Sequence, residues 1–289
     1  MRPSEGELTR RQMLAISIAA FAGVRRLGAQ PDRRWGVQLY TVRGLMAKEP
    51  QRTLERIAAI GYKELEVLQP TIDVVAPVAR TLGLSMVSSH LPALTPVDVD
   101  LAPAIAKARE HGLTHLVVPY MAPGDRPRDR AGFMEIARRL SRMTDQARKA
   151  GLELAYHNHA FEFGTGPGGE RWLDLIMRET AASGMKLELD VFWASVAGAD
   201  PVAVIRQYPG RVTLLHLKDR GASAPTSLLE SDQRAQSFAE VGSGTLDFSA
   251  IVAAGRAAGA SHYFVEQDAT PGDPVDSLKK SFDYLTGLR

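Results

Sequence analysis

A single eight-stranded α/β barrel, the (β/α)8 or TIM barrel, is the architecture this chain predicts, on three observations. Short β-rich runs alternate with longer helical stretches from Trp35 onward. Eight such units fit within roughly 250 residues, the usual size of the fold. Most helices close on a glycine just before the next run, and strands alternating with helices of this length imply right-handed crossovers and a parallel sheet. An open doubly wound sheet would instead want a glycine-rich phosphate turn after the first strand, where Gln38-Leu39-Tyr40-Thr41 stands.

Taken in order, WGVQLYTV precedes a helix over Gln51–Ile60, ended by Gly61, and YKELEVL precedes Ile72–Leu82, ended by Gly83. LSMVSSHL leads to Leu101–His111, and THLVVPYM to a long helix over Arg130–Ala150. The fifth strand reads Glu153–Phe163 and its helix Glu170–Ala182. KLELDVFW is followed by Pro201–Gln207, where proline is well placed to open a helix. VTLLHLKD precedes an irregular stretch from Arg220 to Gly244, poor in aliphatics, which reads as a lid. Phe248–Ala258, HYFVEQD and Ser277–Leu285 close the chain.

The barrel is assigned to residues 31–289, and residues 1–30 read as a twin-arginine export signal. Thr9-Arg10-Arg11-Gln12-Met13-Leu14 opens an apolar run to Val24 that ends in Arg25-Arg26-Leu27-Gly28-Ala29-Gln30. The run is too short for an ordinary membrane span. The expected location is therefore periplasmic or extracellular, with no stable membrane span after signal cleavage. The formal charge of +2 comes from this segment, whose five Arg outnumber Glu5 and Glu7, and the remainder is near neutral. Such a body lacks the concentrated basic face that nucleic acid demands. The absence of Cys rules out disulfides and thiolate ligands.

Four strands in the second half end in side chains that bind divalent metals: His157, Asp190, His216 and Glu266. Buried strands have no use for such groups as filler, since an unpaired buried charge is expensive. Their joint occurrence predicts one shared site at the strand carboxyl ends, where parallel barrels keep their chemistry. On strand five, alternation puts His157 and His159 on one face, within reach of the site, and Glu162 can fold back over it. Gln38, Tyr40, Glu66, His90 and Trp193 are candidates for the substrate cavity, Trp193 by stacking on a sugar face. Tyr120, on strand four, joins them, and Lys218 could polarise a carbonyl.

LDVFW, HLKD, EVGSGTLDF and the terminal VEQD resemble the xylose isomerase-like superfamily, specifically its sugar phosphate isomerase/epimerase branch. The resemblance covers nearly everything from Trp35 to Arg289. It implies a divalent ion (Mn2+, Mg2+ or Zn2+) held by a carboxylate on strand five and by Asp190, His216 and Glu266. Where the family commonly has Glu on strand five, this chain has His157-Asn158-His159, so either His157 or Glu162 fills that place. Glu162 is favoured because three carboxylates suit Mn2+ or Mg2+.

The implied function is an isomerase or epimerase acting on a carbohydrate that bears a carbonyl. The metal would act as a Lewis acid, and Glu266, His157, His159 or Glu162 would move the proton next to the carbonyl. A lyase, hydrolase or dehydratase acting on keto-glycosides or their like is the runner-up, and a non-catalytic sugar-binding barrel is the alternative from another class. An apurinic endonuclease would need further histidines, and Trp193 occupies one of their places. The sequence leaves open the sugar, the metal and whether the chain forms a homo-oligomer.

Overall fold

The computed structural model describes residues 34–95 and 100–288; the twin-arginine segment and the apolar run behind it lie outside the described residues. Eight parallel strands close on themselves. They are β1 (Trp35–Gln38), β2 (Glu64–Leu68), β3 (Ser85–His90), β4 (His115–Val118), β5 (Glu153–His157), β6 (Lys186–Asp190), β7 (Val212–Leu217) and β10 (His262–Val265). β1 pairs with both β2 and β10, so the sheet has no edge. Two short strands, β8 (Asp219–Arg220) and β9 (Phe238–Ala239), form a small antiparallel ribbon outside the barrel.

The helices follow from amphipathic stretches with identifiable ends. Pro50–Ile60 begins on proline, Ile72–Leu82 ends on Gly83 in the left-handed region, and Asp129 caps Arg130–Lys149 through Gly132 N. Two expected bounds move. The helix after strand five is only Trp172–Glu179, and the last helix runs Pro274–Gly287 because Asp273 caps it through Val275 N.

Most of the apolar core lies between the strands and the surrounding helices. Inside the barrel the layers differ in chemistry. A charged layer of Glu64, His115, Glu153, Lys186 and His262 stands at the strand starts. Val87, Val117, Ala155, Leu214 and Phe264 form a small apolar plug above it. Gly36 lets that plug fit, because a Cβ there would run into the Phe264 ring. Two residues past the plug on β5 and β7, and two residues past the charged layer on β2 and β6, the inward positions are His157, His216, Glu66 and Glu188, all buried. The pleat thus carries the barrel from an apolar plug to a polar floor within one layer.

Candidate metal centre and active-site cavity

Each candidate ligand stands where its strand ends. Asp190 is the last residue of β6, and its Oδ1 caps the helix Val191–Val196 by accepting from Trp193 N at 3.0 Å. Capping fixes the carboxylate and leaves Oδ2 facing the barrel axis side. His216 lies on β7 opposite Asp190 in the β6–β7 register, and Glu266 directly follows β10. Ligand atoms of Asp190, His216 and Glu266 lie within 4.8 Å of one another, and all three residues are buried. Asp190 Oδ2 has no hydrogen-bond partner among the described residues, although Lys218 Nζ approaches to 3.0 Å. A buried, under-satisfied carboxylate oxygen beside an imidazole and a second carboxylate is a mixed N/O donor set that suits a divalent cation.

Lys218 stands among these acids. Its Nζ is 2.6 Å from Glu266 Oε2 and 2.8 Å from Asp268 Oδ2. Burial would lower the lysine pKa, but Asp190, Asp268 and Glu266 together hold it well above its ordinary value. Burial likewise opposes ionisation of Glu266, yet Lys218 and His216 keep it well below the usual carboxylate range.

Below this group lies a second one. Ligand atoms of His90, His157, Glu188 and His216 also lie within 4.8 Å of one another. Glu188 Oε2 is 3.0 Å from His90 Nε2, 3.2 Å from His157 Nδ1 and 3.2 Å from His216 Nε2. Glu66 Oε2 accepts from Gln38 Nε2 at 2.9 Å and lies 2.5 Å from His216 Nε2. Burial lowers the His90 pKa, but Glu66 and Glu188 outweigh it and raise it to about 9.

A cavity of about 440 Å³ opens over both groups, with His90, His157, His159, Trp193, Lys218 and Glu266 in its lining and Tyr40, Tyr120 and Glu230 towards its mouth. Glu230 comes from the irregular segment expected as a lid. Its carboxylate accepts from Tyr120 Oη at 3.0 Å and pairs with Arg126 Nη2 at 2.5 Å. His159 is a neutral base here: burial first, then His157 and Lys218, push its pKa well below the ordinary value. Trp193 lies 5.1 Å from His159, centroid to centroid, with Lys218 Nζ 5.4 Å from its own ring.

Several expectations change. Strand five stops at His157 rather than running to Phe163, and the chain turns through a short 3-10 helix at Phe161–Phe163. Glu162 therefore does not swing over the ligands. Its oxygens accept from Tyr156 Oη at 2.7 Å and His159 N at 2.9 Å, and it joins neither metal-competent group nor the cavity lining. Burial raises its pKa to about 8. The strand-five residue beside the other ligands is His157, whose Nε2 is 3.9 Å from Asp190 Oδ2. Gln38 and Glu66 belong to the polar floor and not to the cavity lining, and Tyr120 lies beyond the end of β4. Glu188 and Asp268 went unnoticed in the sequence. Glu188 was findable, since it sits two residues before Asp190 on the same face of a strand.

HLKD also carries a structural residue. Asp219 accepts from the backbone N–H of Arg220, Gly242, Gly244 and Leu246, so it folds the VGSGTL turn around one carboxylate. A side chain at Gly244 would collide with that carboxylate and with the Arg220 carbonyl.

Residues 97–288 match the family model described as xylose isomerase-like TIM barrel. The chain belongs to this family. Among curated proteins, it is 28% identical over 155 residues to an inosose dehydratase of Geobacillus thermodenitrificans (strain NG80-2), covering 50% of this chain and 51% of the relative. An inosose dehydratase of Lacticaseibacillus casei is 28% identical over 160 residues, 52% of each. The chain spans about half the length of the curated relatives it matches. A solved sugar phosphate isomerase/epimerase from Parabacteroides distasonis ATCC 8503 superposes with a TM-score of 0.73 at 23% identity, over 91% of this chain and 98% of that one, and shows the shared fold.

Proposed function

We propose that the protein is a divalent-metal-dependent lyase that removes water, or another β-oxygen substituent, from a cyclic polyol bearing a ring carbonyl. The observation that carries the reading is the convergence of Asp190, His216 and Glu266 beneath a cavity that also presents a neutral imidazole and an ammonium. The similarity to inosose dehydratases favours elimination over the isomerase or epimerase reaction of the same fold.

Asp190, His216 and Glu266 would hold the cation. The bound ion supplies Lewis acidity to the carbonyl oxygen. Trp193 offers a flat apolar wall for the ring. His159, neutral and facing the cavity, takes the proton from the carbon next to the carbonyl; Lys218 gives a proton to the departing oxygen. The C–H and β C–O bonds break, a C=C bond forms, and the oxygen leaves as water or an alcohol. Glu230 and Tyr120 close the mouth, which limits water access.

The twin-arginine pattern supports a location outside the cytoplasm, and none of the described helices is long and apolar enough to cross a membrane.

Incubating the Mn2+-loaded protein with cyclic ketoses and keto-glycosides in D2O tests the reading. A product lighter by one water or one alcohol is expected. Deuterium uptake with inverted configuration and no such loss would replace elimination by epimerisation. No exchange and no product across the panel would sink an enzymatic role in favour of sugar binding.

A further inference from the structure

We propose that the polar floor below the Asp190–His216–Glu266 group is a second divalent-cation site, with His90 Nε2, His157 Nδ1 and Glu188 as its protein ligands. The proposal goes beyond the lyase reading and does not depend on the substrate.

Three observations carry it. The first is geometric: these ligand atoms lie within 4.8 Å of one another, and they come from β3, β5 and β6, whose backbone positions the barrel fixes. The second is an unsatisfied acceptor. Glu188 is wholly buried, and its Oε1 has no hydrogen-bond partner among the described residues. A buried carboxylate oxygen left in that state calls for a cation or water.

The third is charge. Glu66, Glu188, Asp190 and Glu266 are all buried, and among the described residues the buried ammonium of Lys218 is shared by Asp190, Glu266 and Asp268. With a single divalent ion in place, the remaining negative charge deep in the barrel would fall to imidazolium groups such as His90 or stay unmatched, which is costly. A second ion of the same kind balances it.

His216 is common to both groups, with Nδ1 towards Glu266 and Nε2 towards Glu66 and Glu188. A neutral imidazole offers one lone pair, so His216 serves the outer ion through Nδ1 and its Nε2–H then donates to Glu66. The inner ion keeps two nitrogens and a carboxylate, a set that suits Zn2+. His90 and His157 both line the cavity, which gives the ion its way in.

Chelator-treated full-length protein, titrated with Zn2+ alone, desalted and analysed for metal, is expected to hold about two equivalents. His90→Ala and Glu188→Gln should each fall to about one, and so should Asp190→Asn, while Asp190→Asn/Glu188→Gln should hold none. One equivalent or none in the unmodified chain overturns the proposal without recourse to any variant. Two equivalents persisting in both His90→Ala and Glu188→Gln would put the second ion elsewhere and overturn it as well. The lyase reading fails separately, by absence of product from protein that holds both ions.

Discussion

Lys218 Nζ lies 2.6 Å from Glu266 Oε2, in the same space where a divalent cation would meet that carboxylate. The ammonium reaches Asp190 Oδ2 too, at 3.0 Å, so one lysine holds together two ligands that would otherwise repel. Breaking a buried pair by removing one partner costs about 3–5 kcal/mol, because the other charge stays buried and unmatched. Lys218→Met should therefore melt well below the wild type in chelator. Added Mn2+ should recover much of the difference, since an ion at one hundred times its Kd contributes about 2.7 kcal/mol. Melting curves with and without metal check this; an equal metal response in both proteins would mean that lysine and cation do not share a role.

Glu162 makes the stability of the metal-free protein depend on pH in a predictable direction. Its folded pKa of about 8 lies above the ordinary 4.5, chiefly through burial. A raised folded pKa means that the native state binds the proton more tightly, so its contribution is complete below pH 4.5 and lost as pH rises through 8. His90 acts in the same sense between 6.5 and about 9. The depressed carboxylates Glu188 and Glu266 are ionised in both states above pH 5 and leave the slope there unchanged. His159, whose folded pKa is depressed by burial, acts in the opposite sense up to about 6.5, so metal-free stability should decline by several kcal/mol, to order of magnitude, between pH 6.5 and 9. Glu162→Gln keeps an acceptor for Tyr156 and should flatten the fall between about 6.5 and 8, as urea unfolding at fixed pH would reveal.

The eight repeating units were legible because strand and helix periods differ and glycine marks where each helix stops. Asp190, His216 and Glu266 were legible for a further reason: consecutive strands of a closed parallel sheet end on the same face, so strand-end residues meet without any knowledge of loops. Glu162 failed on that same point. It lies five residues past the end of β5, and no pattern in AFEFG says which way the chain turns there. Glu188 was hidden differently. In LELD the lone Glu resembles a rim charge, although its alternation with Asp190 puts both acids on one face, and the closed barrel shows that this face is the inner one.

Asp219 offers a test of the turn that supports the lid. Four backbone N–H groups donate to its two oxygens, at 2.7, 2.9, 2.9 and 3.1 Å. Hydrogen bonds to a charged acceptor contribute about 1.5–3 kcal/mol each when taken singly, and shared bonds give less than their sum. Asp219→Ala should destabilise the fold by about 3 kcal/mol or more, with Asp219→Asn intermediate because its amide nitrogen cannot accept. A urea-unfolding midpoint unchanged in Asp219→Ala would mean that the turn holds its shape without the carboxylate.

Glu230 ties the irregular segment 220–244 across the cavity mouth, because its partners Tyr120 and Arg126 both follow β4 on the opposite wall. Arg126 is itself fixed, donating to Met121 O at 2.9 Å and lying 3.8 Å over the Phe161 ring. The pair is mostly but not wholly buried, with side chains 14% and 18% exposed, so its coupling should be about 1–2 kcal/mol, above that of a surface ion pair. Glu230→Gln and Arg126→Met should each speed proteolysis within 220–244, and the double variant should add little to either, since the second change removes nothing further. Global melting should shift little, because Leu229 next door is 61% exposed and the segment contributes few core contacts. Strictly additive proteolysis rates in the double variant would show that the two side chains hold the lid independently.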